Sequence, residues 1–315
     1  MIQCSVLLGG GGELRLPQPI RWEFCYGTGT PCDSFFVRCL WEGGREKELS
    51  AAHRFLAHWD GERVFTGVVD DYAVICGRDG LCLEVSGRGM AALLLDNEAL
   101  GQDYQLATPA DILRDHITPY GIETVGAEGL RAVSDFRVDT GSSEWTVLEE
   151  FLRAQGVGSA RFDREGRLIL AGEAGEALVI GDGTPVSALI HRDRRYGVLS
   201  EVLVRDRYSG LTQRVENEGF SALGGRARRV LTMAGRADAH EMVSAGREQL
   251  ERSAREWEEL EVTLPAPFAA RPGQPVRLER SGYDHNGTYR VARVTTGMDR
   301  FGYRSHLLLR QEKFV

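Results

Sequence analysis

No stretch of this chain approaches the ~20 apolar residues that a helix needs to cross a membrane, so no membrane span is expected. The N-terminus has no basic region ahead of its short apolar stretch and no small-residue cleavage site. No signal peptide is therefore expected, and synthesis in the cytoplasm follows. Cysteine is missing beyond residue 82: the six lie at Cys4, Cys25, Cys32, Cys39, Cys76 and Cys82. None forms a CxxC pair, which removes the usual zinc spacing. Cys76 and Cys82 could meet across a hairpin tipped by Arg78-Asp79-Gly80, but a reducing cytoplasm favours free thiols. A dominant basic patch is also lacking. Net charge is −8, with acids and bases interleaved, which argues against wrapping nucleic acid.

What is abundant is glycine, at 38 residues in a chain of 315. The glycines are scattered in short turn-like clusters, which implies many strands and turns. The length implies two or three packed units, and a hydrophobic content of 42% supplies a core. The run Gly9 to Gly12 invites a phosphate-loop reading. Such a loop needs a helix whose first amides face the anion. Here Glu13-Leu14-Arg15-Leu16-Pro17-Gln18-Pro19 follows, an alternation that is strand-like and then blocked by prolines. No Lys-Ser or Lys-Thr pair follows either, so a hairpin turn is expected at the glycines.

Residues 1 to 86 form a β-rich section. "FFVRCLW" (35–41), "RVFTGVV" (63–69), "YAVIC" (72–76) and "LCLEV" (81–85) are strand-like, with "DGE" (60–62) and "RDG" (78–80) as turns. "GRGMAALLLD" (87–96) predicts one or two helical turns. "TPADILRDHI" (108–117) opens with Thr108 as N-cap, Pro109 at the first helical position and Asp111 in the first turn. "SSEWTVLEEFLRAQG" (142–156) has a serine cap, an apolar face at Trp145, Leu148, Phe151 and Leu152, and a closing Gly156. "ARFDREGRLIL" (160–170) follows as a hairpin. Strands return at 197–207 and 227–233. A long charged helix is then expected over 238–260, with Asp238 and Glu241 in a capping-box pattern. Strands close the chain at 261–265, 274–281, 287–299 and 303–310.

Several clusters invite a catalytic or binding reading, and each has a plainer one. Tyr283, Asp284, His285 and Asn286 could serve a metal or acid–base site, but Asn286-Gly287 is a strong hairpin signal. His53 and His58 are an odd number apart on a strand and point to opposite faces. Asp70-Asp71 ends a strand, and Glu149-Glu150 diverge by about 100° on a helix. Asp163 and Glu165 flank a hairpin tip with no aromatic sugar platform beside them. Trp22, Phe24 and Tyr26 alternate, as one face of a β core does. Arg192, Arg194 and Arg195, near His191, are broken by Asp193 into a solvated loop. No residue is assigned as catalytic, cofactor-binding or metal-ligating, and no cofactor is expected.

In their order along the chain, some of these segments resemble one family. "RVFTGVVDDY" (63–72) and "VSGRGMAALLLDNEA" (85–99) are similar to the start of phage tail baseplate hub proteins. These include the late control protein D group of contractile phages, defective prophages and phage-tail-like bacteriocins. The helix at 142–156 with the hairpin at 160–170 resembles the family's middle section. "RPGQPVRLERSGYDHNGTYRVARVTTGMDRFGYRSHLLLR" (271–310) resembles its closing barrel. The resemblance implies a mainly β fold: a tube-like β-barrel at 1–99, an α+β insert at 100–177, and a second tube-like barrel at 178–315 carrying the surface helix 238–260. It implies a non-enzymatic homotrimer in the virion tail baseplate or a bacteriocin particle. That trimer would join the sixfold tail tube, or a tube-initiator protein, to the threefold central spike and would contact baseplate wedge proteins. No sequence-specific nucleic-acid binding is implied. The alternatives are the spike base of a type VI-like secretion device and, from another class, a tail-associated cell-wall hydrolase.

Overall fold

Alternating burial builds the first unit. β1 (Ile2–Leu8), β2 (Glu13–Arg15), β3 (Pro19–Gly27) and β4 (Ser34–Leu40) are followed by a single helical turn, α1 (Glu46–Leu49). β5 (Ala52–Trp59), β6 (Glu62–Gly77) and β7 (Gly80–Gly89) complete this section. The computed structural model describes residues 1–315 apart from 29–31, 79, 159, 171–174, 234, 236 and 312–315. Position 79, in the middle of the expected 78–80 turn, lies outside the described residues.

The strands pair antiparallel in the order β2-β1-β5-β6-β7-β4-β3. Only Leu16, Pro17 and Gln18 connect β2 to β3, a link that spans at most about 14 Å. In a flat sheet those two strands, six steps of ~4.8 Å apart, would be separated by roughly 29 Å. The sheet therefore curls, in keeping with the twist of β-structure. Along β3, Trp22, Phe24 and Tyr26 all turn inward and are buried. They meet Phe35 of β4, Phe55 of β5 and Phe65 of β6; Phe35 and Phe55 stack with centroids 3.9 Å apart. Each such ring removes enough apolar surface from water to contribute about 1.5–3 kcal/mol.

One local expectation changes in this section. The runs 63–69 and 72–76 are one strand, β6, because an irregularity between Val69 and Asp71 absorbs the extra residue against β7. Close approach there is possible because Gly87 carries no side chain: a Cβ would lie 2.0 Å from the Val68 carbonyl oxygen. Cys76 faces Leu81 and Cys82 faces Ile75 across the hairpin, so the two thiols are out of register. All six cysteines are free.

The chain continues through α2 (Ala92–Leu95), β8 (Gln102–Ala107), α3 (Pro109–His116), β9 (Thr124–Val125) and β10 (Val133–Val138). It then forms α4 (Glu144–Arg153), β11 (Arg161–Phe162) and β12 (Leu168–Ile169). Thr108 and Asp111 close a capping box on α3, and Ser143 caps α4. Two small cores follow: Leu148 and Leu152 of α4 pack with Leu94, Ile117 and Leu168, while Val147 and Phe151 pack with Ile112 and Phe136.

The remaining elements are β13 (Leu178–Gly181), β14 (Ala188–Asp193), β15 (Glu201–Asp206), β16 (Thr212–Glu216), α5 (Glu218–Ala222), β17 (Arg228–Met233), α6 (Ala239–Ala254), β18 (Glu258–Leu264), β19 (Pro275–Glu279), β20 (Gly287–Asp299) and β21 (Gly302–Arg310). The chain divides into two compact units. The first holds Met1–Glu176, Thr263–Gln274 and Val291–Leu307; the second holds Ala177–Val262, Pro275–Arg290 and Leu308–Val315. In the first unit, β20 pairs with β3 from Arg293 to Met298. Phe268 stacks on Trp22 with centroids 5.4 Å apart and 11° between planes. The second unit has the strand order β13-β19-β20-β21-β18-β14, so its two outermost strands are consecutive in the chain. A separate sheet, β16-β15-β17, packs Val202 and Val204 against Met242 and Leu250 of α6.

α6 starts at the expected capping box of Asp238 and Glu241 but ends at Ala254 rather than 260. From Glu258 the period changes to two. Leu260, Val262 and Leu264 are buried on one face of β18, and Glu259 is bound by Arg310. The architecture is mostly β, with large antiparallel sheets. Among the described residues no helix is long and apolar enough to cross a membrane.

The glycine run is the expected turn between β1 and β2. Gly11 has a φ of 86° and Gly12 of 102°, while Gly10 stays outside the left-handed region. Gly11→Ala should therefore destabilise the protein by about 1–2 kcal/mol. Gly10→Ala should be neutral or stabilise by up to about 1 kcal/mol. Urea denaturation of both variants checks this, and equal midpoints would contradict the turn geometry.

Candidate functional site

The chemistry-bearing side chains fall into three settings: those used up in turns and ion pairs, those buried in the first unit, and those lining a groove in the second. The clusters singled out in the sequence belong to the first setting. Asn286 accepts from the Arg280 amide at 2.8 Å and donates to the Arg280 carbonyl at 2.6 Å, so it fixes a turn. His285 stacks on His191 with centroids 3.6 Å apart. His58 accepts from the Arg63 guanidinium; burial, then that cation, lowers its pKa. His53 is exposed and sits an odd number of residues away on the same strand.

Asp70 does not end a strand. It lies at the β6 irregularity, gripped by Arg88, which also binds Asp96. Those hydrogen bonds raise the Arg88 pKa and lower that of Asp96. Glu149 accepts from the Ala160 amide, whereas Glu150 is exposed. Asp163 accepts from both the amide and the guanidinium of Arg167, which holds the β11–β12 hairpin. Arg192 pairs with Glu261, Arg194 with Glu259 and Arg195 with Asp193. This arginine run is thus a set of matched pairs rather than a basic surface.

The sequence did not disclose the polar chain buried in the first unit. His116, at the end of α3, and Glu144, at the start of α4, are both buried. The His116 Nδ1 lies 2.6 Å from Glu144 Oε2. Tyr120 donates to the other oxygen of Glu144 at 2.9 Å. Tyr104 lies 3.1 Å from His116 Nε2 and donates to Asp115. The only sequence signal is a charge at each helix end, where the helix dipole favours it. Each of these groups has a partner among the described residues, and together they fasten α3, α4 and β8. Arg164 is handled similarly. Its guanidinium lies over Phe268 at 5.2 Å and Tyr26 at 5.8 Å, and burial lowers its pKa.

The third setting is a groove of about 890 Å³ in the second unit. α6 forms one wall and the β16–α5 corner another, with Trp257 and Arg310 also on the lining. The side chain of Asn217 caps α5 through its Oδ1, which accepts from the Phe220 amide at 3.0 Å. Among the described residues no group of three or more His, Cys, Asp or Glu is placed to hold a metal.

No family profile and no curated protein matches the chain. Solved structures do match. A tail protein from Neisseria meningitidis MC58 superimposes with a TM-score of 0.79 at 17% identity, covering 99% of this chain and 97% of that one. The 43 kDa tail protein of prophage MuSo2 from Shewanella oneidensis gives 0.76 at 17% identity, covering 98% and 97%. The chain has the fold of a phage tail protein. An E. coli component of the type VI secretion system is also similar, with a TM-score of 0.53 at 13% identity, covering 94% of this chain and 74% of that one. The resemblance to baseplate hub proteins thus holds at the level of fold.

Within this tail-protein fold, one acid reports on packing in the first unit. Asp33 is half-buried beside Arg161, at a cavity of about 10 Å³ that Trp145 and Phe162 also line. Burial pushes its carboxyl up to about 7, against the Gly27 amide that donates to it at 3.0 Å. An unfolded chain would release that proton near pH ~4. The folded state therefore holds a proton that the unfolded state loses. The associated stability is complete below about pH 4 and disappears as pH rises through about 7. Asp33→Asn should flatten this slope, so its melting temperature should fall less between pH 5 and pH 8 than that of the wild type. Identical slopes would contradict the burial of this carboxyl.

Proposed function

We propose that the chain is the structural hub of a phage-tail-type baseplate, a homotrimeric ring that joins a sixfold tail tube to a threefold spike. The likeness to phage tail proteins over nearly the full length of both chains carries this reading. The chain is taken to hold two tube-like barrels, one at 1–99 and one within 178–315. In the first, the three-residue link from β2 to β3 supports closure of the curled sheet. In the second, the outermost strands β13 and β14 are consecutive in sequence. Curling a sheet on itself leaves few exposed edges. Two such units per chain, repeated three times, would present six similar faces to a sixfold tube.

The protein acts through its interfaces, by matching symmetry and transferring load, and carries no enzymatic activity. Tail tube, spike and wedge proteins are its expected partners, and the virion tail or a bacteriocin particle its location. The type VI-like component with a TM-score of 0.53 favours a second reading, the base of a secretion spike. Light scattering of the purified protein should give a particle of three times 34.9 kDa, alone or, after the spike's mass is subtracted, in complex with its spike protein. A monomer or dimer under every such condition would overturn the trimeric hub.

A further inference from the structure

We infer that His116 and Glu144 form a pH-sensitive latch in the first unit: the imidazole keeps both ring protons inside the fold, and loss of one on the alkaline side loosens α3 from α4 and β8. The directions of the hydrogen bonds require the extra proton. Tyr104 has one hydroxyl proton to give. Its oxygen lies 2.9 Å from Asp115 Oδ2 and 3.1 Å from His116 Nε2. The Arg114 guanidinium grips both oxygens of Asp115, at 2.7 and 2.8 Å, and holds its carboxyl below the usual carboxylate range. An ionised carboxylate can only accept, so the Tyr104 proton points to Asp115. The Tyr104 oxygen then turns a lone pair to Nε2, and Nε2 must donate.

On the other side of the ring, Nδ1 lies 2.6 Å from Glu144 Oε2. The Tyr120 hydroxyl, pushed up to about 12 by burial and by Glu144, donates to Oε1 at 2.9 Å. One proton must lie between Nδ1 and Oε2, and it belongs to the imidazole, the more basic group. His116 is therefore an imidazolium and Glu144 a carboxylate. Their places agree: His116 closes α3, where the helix dipole favours a cation, and Glu144 opens α4, where it favours an anion. Both are buried, at 3% and 6% exposure, so either charge alone would be costly. The remaining acid on α3, Asp111, is held by Thr108 and Arg114. In an unfolded chain at neutral pH, the same two side chains are mostly a carboxylate and a neutral imidazole. Folding thus takes up a proton, and the latch weakens as pH rises. Its full strength lies between about pH 4.3 and about pH 6.5, and below that window the unfolded glutamate takes up a proton instead. Once Nε2 is bare, the Tyr104 hydroxyl must turn from Asp115 to satisfy it, and Glu144 is left without its counter-charge.

The test uses the full chain carrying Asp33→Asn, which removes the other proton that burial holds in this unit. Its histidines are labelled with nitrogen-15. At pH 7.5 an exposed imidazole is about nine-tenths neutral. Magnetic resonance at that pH should show one histidine with two slowly exchanging ring N–H protons. Tyr104→Phe, which keeps the ring and removes only the hydroxyl, should reduce that histidine to one ring proton, as should Glu144→Gln. Hydrogen exchange over 109–116 and 144–153, corrected for its intrinsic pH dependence, gives the second readout. Protection there should fall about tenfold per pH unit once the second ring proton is lost, and Tyr104→Phe should remove this slope. A single slowly exchanging ring proton on every histidine at pH 7.5 would overturn the latch. So would a second ring proton that persists to pH 10, or protection of α3 and α4 that stays constant across the pH range in which that proton is lost.

Discussion

The shortness of one connection governs the first unit. Three residues, Leu16-Pro17-Gln18, join strands that the hydrogen-bonding order places six steps apart. No flat arrangement satisfies both the order and the link. The chain resolves the conflict by curling, and the Leu16 amide continues the pairing with a 2.9 Å bond to the Cys4 carbonyl. The prolines that exclude a phosphate loop thus stand where the sheet turns back on itself.

A curled sheet encloses a limited volume, and the rest of the unit fills it. Trp22, Phe24 and Tyr26 project inward from one strand, and Phe35, Phe55 and Phe65 meet them from three others. Phe268 closes over Trp22 with a φ of 53°, a conformation uncommon for a bulky residue. Its amide is held at 2.9 Å by the Thr296 hydroxyl. Arg164 then lays its guanidinium across Phe268 and Tyr26, while its carbonyl accepts from Thr66. Dense aromatic packing of this kind resists deformation.

The features legible in the sequence are local ones. Thr108 with Asp111, and Asp238 with Glu241, announce helix starts because a cap is satisfied within four residues. The inward face of β3 follows from simple alternation. Asp60-Gly61 marks the turn between β5 and β6, and both residues take positive φ. What stayed hidden depends on partners distant in the chain. His116 meets Glu144, and His191 meets His285, only after folding. β6 looked like two strands because its irregularity at Asp70 interrupts the alternation. The end of α6 was misplaced because the charged run before Leu260 suits a helix face and a strand edge equally. The groove, too, was invisible in advance, since α6, the β16–α5 corner and the end of β21 come from separate parts of the sequence.

A curled sheet, matched surface arginines and a full-length likeness in fold to phage tail proteins are the observations behind the proposed hub. Among the described residues a few buried polar atoms remain unmatched, the Trp22 Nε1, the Tyr283 hydroxyl and the Asn217 Nδ2 among them. The central claim is that three copies of this chain form a ring between tube and spike. Single-particle electron microscopy of the native assembly tests it most directly. The account predicts a threefold ring whose density shows two β-barrels per chain, six around the axis, directly below the tail tube. Density for this chain at a single copy, or at the periphery away from the axis, would contradict it.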